Sequence, residues 1–324
     1  MRRKSVSYAK YGYIFSAPFV IAFLVFSLYP IAFTAIIGFT DLKGVTKTDF
    51  NFLPNPFQNF QTILGNPSFK MSLMNTAVIW IINFIPQLLL ALLLTAWFTD
   101  HRYGIKYQGA FKVLFYMPNI ITAATIAILF FSLFGYPKGP VNDILMSLGL
   151  TETPIEFSLQ KWTARCIVSF IQFWMWYGYT MIILIAGVLG INPELFEAAE
   201  IDGASSSQTF FYVTLPCLRT IMLFVLVTSM IGGLQMFDIP RLFLNGHPDN
   251  ATLTASLFIY NQAFSGSYLY NRAAAASMIM FVIIAVLSAI LFFIMRDRYA
   301  IQVKKKEKMI IKSERAPLER GTSV

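Results

Sequence analysis

An all-α membrane protein with six transmembrane helices is the fold class this sequence predicts, on three observations. Only 13% of its residues are charged and 56% are hydrophobic, with a mean hydropathy of +0.62. Soluble domains carry about 25% charged residues. Uncharged runs long enough to cross about 30 Å of hydrocarbon recur along the chain. The net charge of +9 comes from basic residues that flank those runs, a membrane pattern rather than a nucleic-acid surface.

Taken in order, residues 1–10 begin MRRK and form a basic N-terminal segment. Residues 11–40 are uncharged, too long for a signal-peptide core, and lack an A-x-A cleavage pattern. They are read as span 1, bent by Pro18 and Pro30. Residues 41–70 form an outer loop with Pro54, Pro56 and Pro67. A core over 71–295 holds the other five spans: 71–99, 113–136, 166–193, 220–237 and 273–295. A short helix is expected near 253–264, and residues 296–324 form a basic tail.

Of the 25 Lys and Arg residues, 17 fall on the side of the termini and 8 on the other, which places both termini in the cytoplasm. Cys166 and Cys217 match no metal spacing and read as packing residues. His101 and His247 sit in loops far from other ligating side chains, so neither a catalytic triad nor a metal site is expected.

The loop at 192–216 falls on the cytoplasmic side and is markedly polar between two apolar runs. Pro193 suits the start of a helix, and Glu194, Glu197, Glu200 and Asp202 load its beginning with acid. Ala198, Ala199 and Ala204 allow close approach, and Gly203 permits a sharp turn. A second helix over 205–213 would show Phe210, Phe211 and Val213 on its apolar face. Two short helices around a turn fit a dock for a soluble partner, or a plain connecting loop on the membrane surface.

Glu197-Ala198-Ala199, then Gly203, Val213 and Leu215-Pro216 at fixed spacing, is similar to the EAA motif of ABC-importer permeases. Only Val213, in place of Ile, departs from that pattern. NPFQNFQTIL, MPNIIT, GPVNDIL and GHPDNATLTASLFIYNQAF resemble the carbohydrate-uptake branch, nearest the larger permease subunit of maltose-type importers. The short loop 41–70 is more like multiple-sugar or arabino-oligosaccharide systems than enteric maltose permeases, which carry extra spans. The resemblance implies a type I ABC-importer permease fold in a bacterial cell membrane. It also implies a second homologous permease, two ATP-binding cassette subunits and an extracytoplasmic sugar-binding protein as partners. Glu197, Ala198, Ala199, Asp202, Gly203, Leu215 and Pro216 would meet the ATPase. ATP and magnesium would sit on those partners, since this chain lacks a GxxxxGK[ST] loop and is expected to carry no cofactor.

Cargo should pass where polar and aromatic side chains face the bundle interior. Gln172, Met175, Trp176 and Tyr179 recur on one face of span 4. Ser229, Gly233 and Met236 share a face of span 5, with Gln235 and Asp238 nearby. Flat aromatics suit the apolar faces of sugar rings, and amides and hydroxyls suit sugar OH groups. The maltose resemblance puts sugar contacts on these two faces. Rival readings are a permease of the same type for glycerol-phosphate, amino-acid or polyamine uptake, an ion-gradient secondary transporter, and an intramembrane enzyme. The last two want mid-span acids or a catalytic cluster, which these spans lack.

Overall fold

The computed structural model describes residues 9–295 except 46–48, 101, 103 and 267. The N-terminal residues 1–8, His101 and the tail 296–324 lie outside the described residues. The described chain is helical, with a lone antiparallel bridge between Thr40 and Phe52.

Among the described residues, twelve helices carry the fold. They are α1 Lys10–Ile37, α2 Gln58–Gly65, α3 Pro67–Thr99, α4 Gln108–Ile120, α5 Ala123–Leu133, α6 Pro140–Ser147 and α7 Lys161–Leu189. They continue as α8 Glu194–Ile201, α9 Ser206–Cys217, α10 Arg219–Leu234, α11 Ala255–Phe264 and α12 Tyr270–Met295. Four of them are long and apolar enough to cross a membrane alone: α1, α3, α7 and α12. The pairs α4 with α5 and α9 with α10 pass the same test only together.

Those pairs bend two of the expected elements. Residues 113–136 were expected to form one span, but α4 and α5 meet at 90°. Pro118 lacks an amide hydrogen and crowds the preceding turn, and the helix ends two residues later. Ile121 and Thr122 are extended, and the Thr122 hydroxyl accepts from Thr125 N at 3.3 Å, so it caps a new helix. The second short helix was expected over 205–213, ahead of a fifth span over 220–237. In the structure α9 runs to Cys217 and meets α10 at 69°.

Helix α3 begins at Pro67 rather than Met71, because the Asn66 side chain accepts from Ser68 N and Phe69 N. Pro67 fills the first helical position, where its missing donor costs nothing. The α3–α7 pair is the most extensive helix contact and forms the core, with Ile79, Ile171, Met181 and Leu184 fully buried. Between membrane spans such side chains stabilise the pair through van der Waals packing rather than through removal from water. Gly178 lets α4 lie directly on α7: a Cβ there would sit 2.1 Å from the Phe115 carbonyl oxygen.

The loop between α10 and α11 is fastened to α3 and α7. Arg165 Nε donates to Ala251 O at 3.0 Å and Nη2 to Asn75 Oδ1 at 2.6 Å. Asn75 Nδ2 donates in turn to Asn250 O and Leu253 O. The Thr254 hydroxyl donates to Met236 O at 3.0 Å, which ties this loop to the end of α10. Asn59 and Asn271 anchor the end of α1 through the Gly38 and Thr40 carbonyls. Otherwise the apolar window of α1 buries nothing against its own chain.

Candidate functional site

A cavity of about 350 Å³ opens between α3, α7 and α10. That is near the lower end of ordinary ligand cavities, about 300–1,000 Å³. All nine residues expected on the cargo path line it. Gln172, Met175, Trp176 and Tyr179 form the α7 wall. Ser229, Gly233, Gln235, Met236 and Asp238 form the α10 wall and its continuation.

Their chemical situations differ. Trp176 and Tyr179 are 43% and 38% exposed, and their rings meet edge to face at 5.7 Å. Gln172 is only 9% exposed, yet its amide has no hydrogen-bond partner among the described residues. The Trp176 indole, the Tyr179 hydroxyl, Gln235 and Asp238 are equally unengaged there. The Gln172 amide atoms are not sealed into the core, so they are open to a partner in the cavity. Met175 and Met236 are 8% and 6% exposed and belong mainly to the hydrophobic core beneath the cavity.

Ser229 and Gly233 turn out to serve Trp80. The indole donates to Ser229 Oγ at 3.4 Å, and a Cβ at Gly233 would lie 1.9 Å from Trp80 Cδ1. The glycine therefore makes room for the ring. The third wall, from α3, is absent from the sequence reading: Trp80, Asn83 and Gln87 line it. Asn83 Nδ2 donates to Ile79 O at 3.0 Å and Gln87 Nε2 to the Thr180 hydroxyl at 2.8 Å. These groups are tied into the protein, while the open polar groups come from α7 and from residues 235–238. Two amides one turn apart in an apolar span, with Trp80 on the same face, were the available signal. Asp238 is the one charged side chain in the lining, which holds no Lys, Arg or His.

A second feature lies at the far end of α7. Asn192 Oδ1 accepts from Glu194 N, and α8 follows with Glu194 and Glu197 in its first turn. Gly203 takes φ +74°, and its N–H reaches Glu200 O while Ala204 N reaches Ala199 O. Ser205 and Gln208 then close a reciprocal capping box that starts α9. Of the seven residues expected at a dock, Glu197, Ala198, Asp202, Gly203 and Pro216 are exposed. Leu215 is half-buried, and Ala199 is buried against its own chain. A widened helical turn over Phe210–Thr214 changes the register expected for the second helix. Phe211 and Tyr212 point outward at 61% and 80% exposure, and Ile201 is 86% exposed. The sequence reading did not include Ile201 or Tyr212 in this surface.

Residues 62–304 match the family described as "Binding-protein-dependent transport system inner membrane component". The chain belongs to this family. The lactose transport system permease protein of Rhizobium radiobacter is 32% identical over 89% of this chain and 94% of its own. The arabinooligosaccharides transport system permease protein of Bacillus subtilis (strain 168) is 33% identical over 86% of each chain. A bacterial alginate ABC transporter, solved with its alginate pentasaccharide-bound periplasmic protein, matches with a TM-score of 0.75. That likeness is at 25% identity over 88% of this chain and 93% of that one. The chain is thus an inner-membrane transport component with an importer permease fold, and its resemblance to the sugar-uptake branch holds.

Proposed function

We propose that this chain is a permease subunit of an ATP-driven importer that moves a sugar or oligosaccharide into the cytoplasm by alternating access. The observation that carries the reading is the set of open polar groups beside exposed Trp176 and Tyr179 in one cavity between spans. A ring can stack on the aromatics while its hydroxyls meet Gln172, Gln235 and Asp238. Relatives named for lactose and arabino-oligosaccharide transport support the same cargo class.

In this reading a second homologous permease covers the open side of the cavity and the apolar face of α1. A binding protein delivers sugar at the outer end, and the termini lie in the cytoplasm. ATPase subunits dock on the turn between α8 and α9 of each permease, with Glu197 and Gly203 at the contact. Closing of the ATPase pair on ATP draws the turns together and rocks the spans open to the outside, and hydrolysis resets them. Glycerol-phosphate is less favoured as cargo, because a phosphate wants fixed positive charge and the cavity lining supplies none.

The test is to purify the complete complex with its binding protein and screen sugars for stimulation of ATP hydrolysis. At least one neutral sugar should stimulate, and Glu197→Lys should cut retention of the ATPase while folded permease remains in the membrane. Silence across the panel argues against sugar cargo, and unchanged retention argues against docking at Glu197.

A further inference from the structure

We infer that Arg102 is a positioning residue that ties the docking turn to the inner end of α3. The turn would then have a third link to the cavity, besides its covalent ones through α7 and through α9 and α10. The inference rests on the reading of that turn as the ATPase dock.

Arg102 lies just beyond the end of α3. Its backbone N–H donates to Asp100 Oδ1 at 2.9 Å, and Asp100 is the residue that terminates the helix. Gln108, at the start of α4, donates to the Phe98 carbonyl, so the connection is pinned at both ends. From this base the guanidinium reaches across to the turn. Nη2 donates to Ala204 O at 2.5 Å, and Nε lies 3.6 Å from Glu200 Oε1. These two acceptors stand on either side of Gly203, so one side chain brackets the turn.

The chemistry favours arginine at this place. Helix α8 has no basic residue in its last turn, although its final carbonyls form the negative end of its dipole. Arg102 brings a cation to that end from another element. Its planar fork places one nitrogen in a hydrogen bond to Ala204 O and another in an ion pair with Glu200, which the single ammonium of lysine cannot do with the same geometry. Both partners are partly exposed, so the pair adds little to fold stability. Its consequence is geometric. Helix α3 continues unbroken from Thr99 to Gln87, about 18 Å at 1.5 Å per residue. Gln87, Asn83 and Trp80 are the α3 wall of the cavity. A displacement of the turn therefore pulls on the inner end of the helix whose middle borders the cargo space.

The test uses the complete complex of both permeases and both ATPase subunits, with Cys166 and Cys217 replaced by Ser and Asn83→Cys as the reporter. A water-soluble maleimide reads the labelling rate of that cysteine, nucleotide-free and after trapping with ATP and vanadate. With Arg102 present, trapping should change the rate. In Arg102→Ala the change should shrink about fivefold, a size expected of mutations along a coupling route. Arg102→Lys should retain part of it, and Arg102→Glu combined with Glu200→Arg should recover more than either substitution alone. An undiminished change in Arg102→Ala, or no recovery in the pair, overturns the inference. Loss of the ATPase from the Arg102→Ala complex overturns it as well, since Arg102 would then belong to the dock. Failure of the ATPase to stay with the complex that keeps Arg102 counts against the docking reading itself.

Discussion

Gly178 and Gly233 hold the closest approaches around the cavity. At Gly178 the obstacle is the Phe115 carbonyl on the backbone of α4, which cannot rotate away. Gly178→Ala should push α4 off α7 and destabilise the bundle by about 1–3 kcal/mol. The measurement is the thermal midpoint of purified permease, expected to fall by several degrees. An unchanged midpoint would mean that α4 does not rest on this position. Gly233 makes room for a side chain instead: the Trp80 indole lies over it and donates to Ser229. Sequence spacing put Gly233 and Ser229 on the correct face and left out the ring that fills it. A glycine in an apolar run shows that something comes close. It does not name the neighbour, which here comes from a helix some 150 residues earlier in the chain.

At the scale of elements, the turn proposed as the dock depends on one backbone conformation. Gly203 at φ +74° lets the chain reverse, and the Ser205–Gln208 box restarts the helix two residues later. A β-branched side chain in the left-handed region costs about 1–2 kcal/mol. Gly203→Val should therefore distort the turn and reduce ATPase retention severalfold, while the thermal midpoint of the permease alone barely moves. Full retention with valine in place would separate the turn from docking. The acidic start of α8 and this turn were legible in the sequence, because caps, glycine and charge act locally. The bend between α4 and α5 was not. Residues 113–136 have the composition of a single span. The break depends on Thr122 capping a new helix after Pro118, a choice that composition does not encode. The widened turn at Phe210–Thr214 escaped for the same reason, and it decides that Phe211 and Tyr212 face outward.

At the scale of the whole molecule, the chain has the form of one part of a larger assembly. The apolar window of α1 is unburied along its length, and the cavity walls come from three helices of a single permease. Two ends of the fold are anchored differently. The loop between α10 and α11 is bonded to α3 and α7 through Arg165 and Asn75, and the turn between α8 and α9 is bonded to Arg102. The most direct measurement is uptake of labelled neutral oligosaccharides into proteoliposomes holding the complete complex, comparing the natural chain with Trp176→Ala. The account predicts accumulation that requires both ATP and the binding protein. It also predicts a loss of about tenfold in Trp176→Ala, the equivalent of about 1.4 kcal/mol of ring stacking, with all subunits still assembled. Transport by Trp176→Ala at the rate of the natural chain would contradict it.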